Sequence, residues 1–289
     1  MDKIIRLANI KKYESKLYEE EKSKLTIEKY IRDIMHFYKF LPQGKRVNKE
    51  QVIGYKQYLK ESYRVSSANS MLVALNRFFE YLGWSDCKVQ QFKIQKTFFC
   101  RNDSFISKKE YERLIESAER KGDFQLNLIM QTICSTGIRV SELSAIDVKA
   151  VAAGYAYVDN KGKSRVIFLP KALVRLLKTY LIRSGITSGP VFVSRNGSAV
   201  DRSVIWRRMK RLCRDAGIDA KKVFPHNLRH LFAFTFYRLK KDLLRLAEVL
   251  GHASIETTRI YTATTGEEHK KIISQLGLVQ EWGGACGAT

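Results

Sequence analysis

A 3.6-residue apolar period recurs along this chain in successive capped segments, and it restricts the fold more than any other feature. From Thr26 to Leu41, residues Ile27, Tyr30, Ile31, Ile34, Phe37, Tyr38 and Leu41 fall on one helical face, and the turn Pro42-Gln43-Gly44 stops the run. Asn48-Lys49-Glu50-Gln51 has the form of a capping box, with Asn48 as N-cap and Gln51 reaching back. The helix it opens is predicted to bury Val52, Tyr55, Tyr58 and Leu59. Another helix is expected from about Ser66 to Leu82, with Met71, Leu72, Leu75, Phe78 and Phe79 inward and Gly83 ending it. Residues 1–94 therefore read as a helical domain.

The period weakens from about Lys88 to Asp103, which marks a linker, placed at 95–104. Ser107-Lys108-Lys109-Glu110 is a second capping box, opening a helix with Tyr111, Leu114, Ile115 and Ala118 on one face. The second domain, residues 105–280, has a mixed pattern. A helix around Leu126 to Ser135 precedes Thr136-Gly137-Ile138-Arg139, where a further helix is expected to begin. Tyr155 to Asp159 and Ser164 to Leu169 read as two short strands joined at Asn160-Lys161-Gly162-Lys163. Helices are expected at about Lys171–Ser184, Asp201–Ala216, Asn227–Leu239, Leu243–Leu250, Ser254–Tyr261 and Glu267–Leu278, and residues 281–289 read as a flexible tail. The fold class is mainly α with a small β component.

Charge narrows the partners. With 52 Lys+Arg against 29 Asp+Glu the formal charge is +23, which repels itself in a compact state unless a polyanion lies nearby. Nucleic acid is the favoured partner. No stretch approaches the roughly 20 apolar residues of a spanning helix, and the first residues lack the apolar run of a signal peptide, so a cytoplasmic protein with no membrane partner is expected. Cys87, Cys100, Cys134, Cys213 and Cys286 form no C-x-x-C pair and signal neither zinc nor a disulfide framework. Within the helix at 201–216, Arg202, Arg207, Arg208, Lys210, Arg211 and Arg214 form a basic set suited to DNA phosphates or a groove. Lys45, Arg46, Lys56, Lys60, Arg64 and Arg77 decorate the N-terminal helices in the same sense.

Breaking a phosphodiester requires a nucleophile, cations facing the non-bridging oxygens and an acid for the leaving oxygen. Residues of these kinds occur in compact patches. Gly137 permits a tight turn before Arg139, with Glu142 three residues on to orient it; His226 and Arg229 are three apart and share a helical face behind Pro225. His252 and Tyr261 stand in Leu250-Gly251-His252 and Arg259-Ile260-Tyr261.

TGIRVSEL, HNLRH and LGHASIETTRIYT, in this order, resemble the tyrosine recombinases of the lambda-integrase family, and within them the Xer-like branch. The resemblance extends over nearly the whole chain, by motif in the second domain and by helix pattern in the first. It implies a core-DNA-binding domain followed by a catalytic domain. It also implies that Arg139 and Arg229 clamp the scissile phosphate, His226 assists proton transfer, His252 bonds the phosphate and Tyr261 is the nucleophile. The family's lysine on a β-hairpin turn matches Lys161, with Lys163 as the fallback; His230 reads as structural. The implied reaction passes through a 3′-phosphotyrosine and needs neither metal nor cofactor, because the covalent intermediate conserves the bond energy. The implied partner is double-stranded DNA, held by a homotetramer on two sites that is monomeric or dimeric off DNA. A non-cutting DNA-binding regulator and a topoisomerase of the same chemistry are the rival readings. Integration as against dimer resolution, the need for an accessory recombinase or directionality factor, and the docking of the C-terminal helix stay open.

Overall fold

The computed structural model describes residues 3–93, 105–160, 163–251, 254–258, 261 and 274–275. The chain divides into two compact units, residues 1–96 and 97–289. The expected linker, the hairpin tip Lys161-Gly162, the expected helix at 267–278 apart from its residues 274 and 275, and the tail lie outside the described residues.

The first unit is four helices, α1 (Leu7–Glu19), α2 (Lys24–Phe40), α3 (Lys49–Ser62) and α4 (Val65–Tyr81). Three match the apolar periods, except that Tyr58 of α3, expected inward, is exposed; α1, buried through Ile10, Tyr13 and Leu17, lies outside them. The Asn48 box forms, its side chain accepting from the Gln51 N–H (2.8 Å) while Gln51 accepts from the Asn48 N–H (3.2 Å). Packing α4 on α2 and α3 buries Phe37, Tyr55, Leu72, Phe78 and Phe79 completely, and each such side chain contributes about 2 kcal/mol by its removal from water. The stretch after α4 differs from the sequence expectation. Residues 88–92 are not free linker, because two asparagines of α4 hold them: Asn76 makes a reciprocal pair with Val89 (2.7 and 3.0 Å) and Asn69 with Phe92 (2.9 and 2.8 Å). A side-chain amide has the donor and acceptor of a peptide group, so the extended chain is paired as an added strand would be. That signal has no apolar period.

The second unit opens with α5 (Lys108–Arg120), capped by the reciprocal Ser107–Glu110 box, and α6 (Phe124–Thr136). α6 is apolar on nearly every side, burying Leu126, Leu128, Ile129, Met130 and Ile133, and packs against α5 and three later helices. Residues Val140–Ala145 form a 3₁₀ turn rather than the α-helix expected after Arg139. Then come α7 (Val148–Ala153), β1 (Tyr155–Asn160), β2 (Lys163–Phe168), α8 (Lys171–Ser184), α9 (Arg202–Ala216), α10 (Pro225–Lys240) and α11 (Leu243–Leu250). The strands pair antiparallel from Tyr155↔Phe168 to Asn160↔Lys163. Of the segment expected as a helix at 254–261, Ile255–Thr257 is a 3₁₀ turn.

Candidate active site

The site begins where α6 ends. Gly137 caps that helix at φ +67, and a Cβ there would stand 2.5 Å from the Phe232 ring, so the position demands glycine on two grounds. The turn throws Arg139 to the start of the 3₁₀ segment, where Glu142 holds it twice. One carboxylate oxygen accepts from the Arg139 guanidinium (2.7 Å) and the other from the Arg139 backbone N–H (3.0 Å). α10 supplies Arg229 from its second turn, with Pro225 at the start. Arg229 is 1% exposed, and its guanidinium donates to the carbonyls of Gly137 and Leu250 at 2.6 Å each.

α11 organises the cluster from below. Its last turn presents three successive carbonyls, Val249, Leu250 and Gly251, and a guanidinium from a different part of the chain meets each: Arg165 (2.5 Å), Arg229 (2.6 Å) and Arg139 (3.2 Å). A helix C-terminus is the negative end of the macrodipole and has unpaired carbonyls, so it suits cations. Arg165 is not among the residues expected from sequence. It also reaches the second oxygen of Glu142 (2.6 Å). A detectable signal exists: Val158 faces Arg165 across the ladder, and Val158 and Ile167 are buried, so the two-residue period turns Arg165 inward.

Tyr261 is 5% exposed, beside Ala233, Leu246 and Leu250. The His230 ring lies between its ring (5.1 Å) and the His226 ring (4.6 Å, edge-on). The arginines, His226 and Tyr261 thus come together from separated segments. Lys161 and His252 lie outside the described residues.

Electrostatics derive from this packing. Burial raises the Tyr261 phenol above 10.0, while Arg229 and Arg139 oppose the shift by favouring the phenolate. Partial burial, then Arg229 and Arg139, lower His226 below 6.5. Burial and the neighbouring guanidiniums of Arg139 and Arg165 bring Arg229 down to about 10, still protonated at neutral pH. Burial works to raise Glu142, but the Arg139 N–H and guanidinium, with Arg165, outweigh it and hold the carboxylate low. Among the described residues no three His, Cys, Asp or Glu side chains gather as a metal-binding group. Among them also, no helix is long and apolar enough to cross a membrane.

The basic set on α9 separates into two kinds. Arg208 is paired with Asp123 and donates to Gln125 (2.7 Å), and Lys210 donates to the Ala220 carbonyl, so both brace the domain. Arg202, Arg207, Arg211 and Arg214 are exposed, the last three recurring on one face. In the first unit a cleft of about 530 Å³ is lined by Lys29, Arg32, Asp33, His36, Lys39 and Tyr63, with Lys29 paired to Asp33 (2.5 Å). Lys60, Arg64 and Arg77 are exposed, while Lys45 and Lys56 lie over the rings of Tyr38 and Phe92.

Residues 104–268 match the phage integrase family, and residues 10–86 match the phage integrase N-terminal SAM-like domain. Among curated relatives, tyrosine recombinase XerA of Pyrococcus furiosus is 29% identical over 289 residues, 96% of this chain and 97% of the relative. Similar solved structures include a XerH site-specific recombinase bound to a palindromic difH substrate in a post-cleavage complex (TM-score 0.71, 22% identity, 86% of this chain and 79% of that one). Another is a lambda integrase tetramer bound to a Holliday junction (TM-score 0.69, 18% identity, 87% and 76%). The family match takes in more than half of the chain, including Arg139, Arg229 and Tyr261; the chain belongs to the phage integrase family, as a tyrosine recombinase of the Xer-like branch.

Proposed function

We infer that this chain cleaves and rejoins DNA at specific sites with Tyr261 as the covalent nucleophile. The observation that carries the reading is the convergence on Tyr261 of two arginine charges, Arg139 and Arg229, from distant segments. The Tyr261 hydroxyl attacks phosphorus while its proton passes toward His226. Arg139 and Arg229, with His252, neutralise the non-bridging oxygens. The bond to the 5′ oxygen breaks, and that oxygen leaves with the electron pair and a proton from Lys161. A 3′-phosphotyrosine and a free 5′-hydroxyl result, and a partner strand's 5′-hydroxyl reverses the step. The raised Tyr261 pKa means that the phenol needs this positive cluster, completed on DNA, to react at neutral pH.

Residues 1–94 and 105–280, joined by the linker 95–104 and ending in the tail 281–289, serve as the core-DNA-binding and catalytic domains. Arg202, Arg207, Arg211 and Arg214 on α9, together with the exposed Lys60, Arg64 and Arg77 of the first unit, contact phosphates. The related lambda integrase forms a tetramer on a Holliday junction. By likeness this chain assembles as four copies on two duplexes and is monomeric or dimeric off DNA, in the cytoplasm.

The test mixes purified protein, in chelator, with nicked suicide duplexes cut from DNA flanking its own gene and selected from random fragments. A denaturant-resistant adduct is expected with the wild type and not with Tyr261→Phe. Tight binding with no adduct on any duplex would support a non-cutting regulator. Adducts together with relaxation of supercoils and no joining of two sites would support a topoisomerase.

A further inference from the structure

Arg165 is a charged residue on the inner face of a strand whose neighbours on that face, Ala156, Val158 and Ile167, are apolar. Its side chain is 12% exposed, whereas Val166 and Phe168 on the same strand face outward at 38% and 76%. Burying an arginine here in preference to its apolar neighbours is costly unless the guanidinium is paired. It is engaged by the Glu142 carboxylate (2.6 Å) and the Val249 carbonyl (2.5 Å). Its stem lies so close to the backbone of Gly251 that a Cβ there would stand 2.5 Å from its Cδ and 2.7 Å from its Nε. Gly251, at φ +62, therefore both ends α11 and makes room for Arg165.

Glu142 has two oxygens and three donors. Arg165 occupies the oxygen shared with the Arg139 backbone N–H, which turns the other toward the Arg139 guanidinium. Arg139 is the more exposed of the two clamp arginines, its side chain 29% exposed, so its aim depends on what lies behind it. We propose that Arg165 is a positioning residue for strand cleavage, acting through Glu142 and the backbone at Val249–Gly251 to fix the Arg139 guanidinium against the scissile phosphate. The inference rests on the reading that Tyr261 cleaves DNA.

The experiment measures first-order adduct formation at saturating protein on two suicide duplexes, one with the ordinary scissile phosphate and one with a neutral methylphosphonate there. Arg165→Lys keeps the charge and the stem but cannot bridge Glu142 and Val249 with one planar group. It should slow cleavage of the phosphate about a hundredfold, the scale of a small misplacement of a catalytic group. On the methylphosphonate, which lacks the charge that Arg139 meets, the loss should be only about threefold. Glu142→Gln should show the same selectivity. A variant that is merely less well folded loses rate equally on both duplexes, so equal losses overturn the proposal, as does an unchanged rate on the phosphate. No adduct with the wild-type protein on any duplex would defeat the proposed function itself and this inference with it.

Discussion

In the first unit the largest fully buried side chains are aromatic, Tyr55, Phe37, Phe78 and Phe79; in the second, among the described residues, the largest is Arg229, set above fully buried leucines and isoleucines such as Leu114, Leu126 and Ile129. One unit is closed by apolar packing. The other, around an apolar core of its own, buries a guanidinium, a carboxylate and a second guanidinium against the end of α11. Hydrophobic packing of the first kind is non-directional and tolerates volume-conserving change. Buried charge is directional, and removing one partner strands the others. The second unit is thus constrained by its chemistry: mutations there should change reactivity and stability together, while core mutations in the first should change stability alone.

The largest effect should come from Arg229→Met. It strands the Gly137 and Leu250 carbonyls and removes a phosphate clamp, so urea unfolding should show the second unit losing about 3 kcal/mol, with adduct formation lost as well. Phe37→Ala should cost about 3 kcal/mol in the first unit without touching adduct chemistry, read as lost amide-exchange protection in α2 and α4 with α6 unchanged. If α6 exchange rose equally, the units would not be independent and the contrast would fail.

Gly137→Ala should destabilise the second unit by about 2 kcal/mol, since φ +67 and the Phe232 ring both resist a Cβ. The acid dependence has a definite sign. Glu142 has a folded pKa below 4.5, so its stabilising contribution is complete above that value and is lost as pH falls through the lower folded one. Glu142→Gln should flatten the stability profile of the second unit below pH 4.5. His226, lowered below 6.5 in the free protein, should titrate by NMR below the ordinary histidine value and move upward in Arg139→Gln. The smallest effects belong to the surface: Arg207→Ala, Arg211→Ala and Arg214→Ala should each reduce the salt slope of DNA binding by about 1 with little change in stability.

Much of this is legible in the sequence. Both capping boxes form, at Asn48 and Ser107, and the helices over 171–184 and 243–250 have the expected bounds, because local hydrogen bonding and apolar period decide such elements. The grouping of Arg139, His226, Arg229 and Tyr261 is implied by motif resemblance, not by any local rule. The features that escape sequence reasoning do so for physical causes. The Asn69 and Asn76 clamps are pairings of side chain with distant backbone, which no periodicity encodes. Arg165 reads as one more cation until the register of the strands turns it inward. Glu142, in the 3₁₀ turn after Arg139, meets Arg165 of a distant strand, a tertiary contact that helix propensity does not encode.

The proposed reaction depends on Tyr261 as the covalent nucleophile, and mapping the protein–DNA adduct by mass spectrometry after nuclease and protease digestion reads that residue out. A residual nucleotide is expected on Tyr261, formed equally in chelator and absent from Tyr261→Phe. A nucleotide on any other residue, or an adduct that survives in Tyr261→Phe, would contradict the assignment.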